Sequence, residues 1–290
     1  MTSRFCRPFL TLLASVAFAA SQLVASPFAV TLTDDPSALA SALFGPGVTV
    51  VGTPTLSSQP GQSGTFTNFN SGPYTQSGGA SGQFNVGSGI ILTTGIASGA
   101  EGNYIGGPSF DAGGSGNALL SAISGASTFD ADVLTIQFLS TSPMLGLNFL
   151  FASAEYPGSV NSGFGNDPIG IFVNGKNVAL VPGTSTPVSI NSVNASANSS
   201  FFTQYSNPNT PFNYGGVTTV LNAKANVSTT AVNTIQFAIA DAVDGSVDSA
   251  LLIPGSNAAA VPEPRSLLLF LTGAALIGGF AIYRRAAGVV

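Results

Sequence analysis

Five acidic residues are where this sequence could do chemistry. Asp241, Asp244 and Asp248 put three carboxylates within eight residues, directly after an apolar run, with Gly245 permitting a sharp turn. Glu155 and Asp167 lie in two further polar segments, the second beside Asn166. A hard cation such as Ca²⁺ takes about six to eight oxygens from carboxylates, carbonyls and water. A fold that brings Glu155 and Asp167 to the same rim as Asp241, Asp244 and Asp248 therefore makes a calcium site of carboxylate, Asn166 and backbone ligands. The spacing is not that of an EF-hand loop, which begins with acids at alternate positions and ends on Glu. The same aspartates can instead cap turns and bond their own backbone. A third use is catalytic, with Glu155 as acid and Asp241 or Asp167 as base or nucleophile, since glycoside hydrolysis needs two carboxyl groups about 5–10 Å apart. With no tryptophan in the chain, sugar platforms would fall to Tyr74, Tyr104, Tyr156, Tyr205 and Tyr214, which also suit packing.

Composition removes most other chemistry. The 290 residues include no histidine and one cysteine, Cys6. Histidine triads, histidine metal ligands and thiol catalysis are therefore excluded from any mature form lacking the first residues. Only 7% of residues are charged, against roughly 25% in ordinary soluble domains. Five of the seven basic residues lie near the ends, so residues 27–260 carry Lys176 and Lys224 against eleven acids, a formal charge of −9. Nucleic-acid binding needs a basic footprint and is excluded; cations are the natural counterpart of this body. Gly113-Gly114-Ser115-Gly116 has neither the basic residue nor the strand-to-helix setting of a phosphate cradle.

The ends read as addresses. Arg4 and Arg7 precede an apolar stretch from Phe9 to Ala20, followed by small residues. These are the parts of a secretory signal peptide, assigned to residues 1–25. At the other end, Pro262-Glu263-Pro264 leads into Leu267–Tyr283, an uncharged stretch long enough for a helix of about 25 Å, and then Arg284-Arg285. The arginine pair belongs on the cytoplasmic side, which agrees with an exported body. Motif, apolar helix and basic end together resemble the PEP-CTERM sorting signal of Gram-negative bacteria, here residues 259–290. The resemblance implies an exosortase-type membrane enzyme as partner, anchoring in the inner membrane through the helix at 267–283 before processing, and then transport to the cell surface or extracellular polymer. A plain anchor that is never cleaved is the alternative.

The elements that must position the acids occupy residues 26–258. Short apolar runs alternate with Gly, Ser, Asn and Pro clusters, which predicts an all-β fold: one large, jelly-roll-like β-sandwich with long Gly/Ser-rich loops. Strands are expected at 133–138, with Leu134, Ile136 and Phe138 on one face, and at 145–151, 169–173, 178–181, 217–227, 235–240 and 250–253. Asn174-Gly175 supplies the positive φ of a tight hairpin turn. One short helix is expected at 35–43, capped by Asp34 or Asp35, with Pro36 at its first position and Gly45 ending it. No other helix is expected after Leu43, and residues 57–89 and 97–117 read as loops or short irregular strands.

Three segments carry a family resemblance: Asp130-Ala131-Asp132-Val133-Leu134; Phe151-Ala152-Ser153-Ala154-Glu155-Tyr156-Pro157 with Phe164-Gly165-Asn166-Asp167; and Ile239-Ala240-Asp241 through Ser249-Ala250. With the run Gly89–Gly95 they resemble the bacterial choice-of-anchor L domain over most of residues 30–255. Two consecutive acids are common in that family where this chain has Ala154-Glu155. The resemblance implies a surface module. The resulting expectation is a structural or adhesive protein of the cell surface or extracellular matrix, not an enzyme, associated with extracellular polysaccharide and stabilised by Ca²⁺. A carbohydrate-binding or ice-binding module and a carboxylate-dependent polysaccharide-active enzyme are the alternatives.

Overall fold

A computed structural model describes residues 28–71, 74–75, 81–82, 85–205, 212–255 and 258–260. The expected signal peptide, the Pro262-Glu263-Pro264 motif, the apolar stretch 267–283 and Arg284-Arg285 lie outside the described residues. Among the described residues no helix is long and apolar enough to cross a membrane.

In chain order the elements are β1 (Ala29–Leu32), α1 (Pro36–Leu43), β2 (Val48–Ser57), β3 (Ser63–Asn70), β4 (Tyr74–Thr75), β5 (Ser81–Gly82), β6 (Asn85–Thr93), α2 (Ala118–Ser124), β7 (Thr128–Ser140), β8 (Met144–Ser153), β9 (Ile169–Val173), β10 (Lys176–Asn177), β11 (Phe202–Gln204), β12 (Gly216–Thr218), β13 (Leu221–Asn226), β14 (Asn233–Ala242), β15 (Ser249–Pro254) and β16 (Ala259–Ala260). A nine-stranded antiparallel sheet runs β1-β3-β6-β15-β8-β12-β11, with β13 and β16 also pairing β8. A five-stranded antiparallel sheet runs β10-β9-β14-β7-β2. The two small strands β4 and β5 pair with each other.

The chain is mostly β, and its main core lies between the two large sheets. Period-two alternation decides what enters it. Leu134, Ile136 and Phe138 of β7 and Ile235, Phe237 and Ile239 of β14 face Leu145, Leu147, Phe149 and Phe151 of β8 and Leu251 and Ile253 of β15. The intervening Leu150, Ala152, Ala250 and Leu252 fill a second cluster on the far face of the larger sheet, with Phe28, Phe66, Phe69 and Phe212. Its central strands are thus buried on both faces, which is why they read as continuous apolar runs. Helix α1 adds Leu39 and Leu43 to the main core.

Several elements differ from the sequence expectation. Within 57–89, where loops or short irregular strands are expected, the short strands β4 and β5 agree with that reading, but Ser63–Asn70 and the residues from Asn85 onward are full strands, β3 and β6, of the larger sheet. The expected strand at 178–181 is replaced by the two-residue β10, after which Asn177 Oδ1 accepts from the amides of Ile171 and Ala179 and turns the chain out of the ladder. The run 217–227 divides into β12 and β13, pairing successive parts of β8. A second helix, α2, is present: Asn117 caps it by accepting from the amides of Leu119 and Leu120, and Gly125 ends it at φ 76°. Leu120 packs there against Phe172, Ala238 and Ala240 on the outer face of the smaller sheet. The first helix is capped by Asp35 as expected, but Phe44 in extended conformation terminates it, not Gly45. The Asn174-Gly175 turn joins β9 to β10 with φ of 49° and 81°, as a tight hairpin requires.

Candidate functional site

The strands of both sheets end together at one pole of the sandwich, and the apolar rows of the core end there in polar residues. Two residues before Leu134 on β7 is Asp132; two after Ile239 on β14 is Asp241; two before Leu251 on β15 is Ser249; two after Phe151 on β8 is Ser153. Alternation therefore points all four inward, and all four are fully buried. Asp241 is consequently a strand residue, paired with Phe129 beside a bulge after Ile239, and not part of the loop that follows.

The structure brings Glu155, Asp167, Asp241 and Asp248 to this pole from separate segments, each no more than 3% exposed. Asp167 is the most completely bonded. Its carboxylate accepts from Ser249 Oγ at 2.6 Å and the Ala242 amide at 2.8 Å, while its own amide donates to Glu155 Oε2 at 3.4 Å. Asp248 Oδ1 accepts from the Phe110 amide at 2.8 Å. The Asp248 carboxyl lies against the Cα of Gly95 and that of Glu155 against Gly165, where any Cβ would collide with it. Asp244 is only half-buried and accepts from the Ser246 amide, an Asx turn. Val243 and Val247 bracket that turn at φ 83° and 72°. Such values in β-branched residues cost about 1–3 kcal/mol each and persist only where the surroundings impose them.

Residues not among the sequence candidates for the site complete the cluster, although Asp130 and Asp132 belong to a segment that carries the family resemblance. Asp132 accepts from Ser63 Oγ at 2.8 Å. Asp130, at φ 49°, accepts from the amides of Ala112 and Gly114. Gln62 ties the layer together by donating to the carbonyls of Thr94 and Asp130, both at 2.8 Å. Extending the Leu134-Ile136-Phe138 row backwards was the signal that could have found Asp132.

Some carboxyl oxygens are buried without a donor in good hydrogen-bond geometry: both of Asp241, Oδ2 of Asp248 and Oδ1 of Asp132. The Thr94 side chain and the Asp167 carboxyl nevertheless lie close enough to Asp241 to interact with it. Among the described residues basic counterions are distant, since Lys176 and Lys224 line a groove near the other pole. Burial, which disfavours the charged form, pushes Asp132 up to about 8 and Asp248 to about 6. Burial first, and then a neighbouring carboxylate, raise Glu155 and Asp241; burial likewise raises Asp167 against its hydrogen bonds from Ser249 and Ala242. Among the described residues no three acidic side chains are spaced, as they stand, to hold a metal ion. The catalytic alternative meets an obstacle of access, because a sugar chain does not reach carboxyls this deeply buried. Tyr156, Tyr205 and Tyr214 are buried packing residues, not platforms, and Tyr156 donates its hydroxyl to the Val193 carbonyl.

These raised values carry a definite pH dependence. Each such carboxyl binds its proton more tightly folded than unfolded, so its stabilisation is complete below pH about 4 and is lost as pH rises through the folded values. Without added cations the melting temperature is expected to fall by about 5–10 °C between pH 5 and pH 8, measured by calorimetry in EDTA.

No curated protein and no solved structure matches the chain. A family model, the Choice-of-anchor L domain, matches residues 33–258, which contain both large sheets except the first strand and the last two residues, and the whole acidic pole. The chain therefore belongs to the choice-of-anchor L domain family, whose members are surface-associated proteins.

Proposed function

We propose that this protein is an exported structural or adhesive component of the cell surface or extracellular matrix, delivered through its C-terminal sorting segment, and that its acidic pole takes up a cation. Calcium fits by donor chemistry, since the groups there are all oxygens: carboxylates, hydroxyls and backbone carbonyls. The observation that carries the reading is Asp241, fully buried among carboxyls, with neither oxygen in good hydrogen-bond geometry, with the side chains of Thr94 and Asp167 close to it, and, among the described residues, with no basic residue at that pole. An uncompensated buried carboxylate is costly, so it must hold a proton or meet a cation. Rotation of Asp241 and Asp248, which carry oxygens without a donor in good geometry, would gather ligands around the ion with Glu155, Asp167 and Asp244.

Differential scanning calorimetry of the purified protein in EDTA, and then in millimolar Ca²⁺ at constant ionic strength, tests this. Binding to the native state alone stabilises by about 2.7 kcal/mol at a hundredfold excess over Kd. For a domain of this size that is a rise of about 5–10 °C, larger at pH 8 than at pH 5 because the ligands must be ionised. The absence of any rise at either pH would return the cluster to a proton-holding network that closes the end of the core.

A further inference from the structure

Charge is segregated along this molecule. The buried acids gather at the pole where β8 and β14 end, whereas Lys176 and Lys224, the only basic residues between 27 and 260, meet near the opposite pole. Along β8, Gly146, the register partner of Lys224, lies about 23 Å from Ser153. The lysines are 48 positions apart in sequence, on β10 of the smaller sheet and β13 of the larger, and the groove between those two strands is lined by both.

We propose that this groove is a docking site for a carboxylated polysaccharide. It has a volume of about 360 Å³, within the range of ligand clefts. A second hollow of about 210 Å³ continues it, sharing Lys176, Val178 and Lys224. The two hollows thus adjoin at the lysine pair, and their joint length suits a polymer better than a compact ligand. Val173, Val178 and Ala225 are its apolar lining and Asn226 lines it with an amide, while the Asn174 side chain, also in the lining, is engaged with Asn233 and the Thr234 amide. Apolar surface for the C–H face of a sugar ring, an amide for its hydroxyls and ammonium groups for its carboxylates are the three chemistries such a polymer needs. Among the described residues no acidic residue lines either hollow, which leaves both ammonium groups for a ligand. A planar lipid surface does not enter a concave track between two sheets, which is why the polymer is favoured over anionic headgroups.

The competing role for these lysines is to guard two strand edges against pairing with another chain, a common use of lysine there. Titration calorimetry of the full-length protein, in EDTA throughout, distinguishes the two. The probes are polygalacturonate, its fully methyl-esterified form, and vesicles containing phosphatidylglycerol. Polygalacturonate is expected to bind and to weaken as salt is raised, the uncharged ester to bind far less, and K176Q/K224Q to lose roughly tenfold in affinity. K176R/K224R should retain binding. Equal binding of the ester, unchanged affinity in K176Q/K224Q with increased self-association in sedimentation, or binding to vesicles but not to polygalacturonate would each overturn the proposal. The site is independent of the acidic pole: loss of the calcium response leaves this titration unaffected, and K176Q/K224Q leaves the calcium response intact.

Discussion

Asp241→Asn is expected to raise the melting temperature of the EDTA-treated protein at pH 7 and, in the same preparation, to abolish its response to calcium. The two effects have one cause. Burial, and then the carboxylate of Asp167, push Asp241 far above the usual carboxylate range, against a weaker opposing contact with Thr94, and neither of its oxygens is in good hydrogen-bond geometry. In the unfolded chain it ionises near its ordinary value of 3.8. Folding at pH 7 must therefore return a proton to it, at about 1.4 kcal/mol for each unit between those two points. Over the roughly three units from 3.8 to pH 7 that is about 4.5 kcal/mol. Asparagine needs no proton but buries an amide without a full set of partners, at about 1–3 kcal/mol, so the variant gains roughly 2 kcal/mol, or about 4–8 °C. A cation reverses the sign by making the carboxylate the favoured form, and asparagine then lacks the charge that holds it. A variant less stable than the parent in EDTA would show that the carboxyl of Asp241 is better satisfied than its surroundings indicate. A variant that keeps the calcium response would remove Asp241 from the ion's ligands.

Phe237→Ala carries the largest loss, about 3–5 kcal/mol. Phe237 is fully buried at the centre of β14, opposite Leu134 on one side and Ile171 on the other. Truncation removes apolar contact and leaves a cavity that two flanking ladders prevent from collapsing. Urea unfolding should show a lower midpoint with unchanged slope. Because Phe237 lies four positions from Asp241 on the same strand, the calcium-induced rise should survive in this variant. That makes it a control separating general destabilisation from loss of the site.

Much of the fold was legible because it rests on local rules. Asp35 and Pro36 begin α1, and Asn174-Gly175 turns β9 into β10, through backbone preferences of a few adjacent residues. The inward rows of β7, β8, β14 and β15 follow from period-two alternation. Where neighbours override the local pattern, legibility fails. Asn177 turns the chain out of the ladder just where Val178–Val181 reads as a strand. Polar β3 reads as loop because its Ser, Gly, Thr and Asn gain their strand conformation from pairing with β1 and β6. Helix α2 went unread although Asn117 and Gly125 mark both its ends, since seven residues offer too little periodicity.

The acidic residues divide in the same way. Sequence by itself determined their number, the want of histidine and cysteine partners, and the scarcity of positive charge between residues 27 and 260. Alternation even indicates which of them face inward once the strands are drawn. Only the tertiary structure decided that Glu155, Asp167, Asp241 and Asp248 share one buried pole with Asp130 and Asp132, and that Lys176 and Lys224 share a groove near the other. Those meetings depend on strand order and register between segments up to about a hundred residues apart. Long-range pairing of that kind is settled by the burial of the whole core, which no local stretch of sequence encodes.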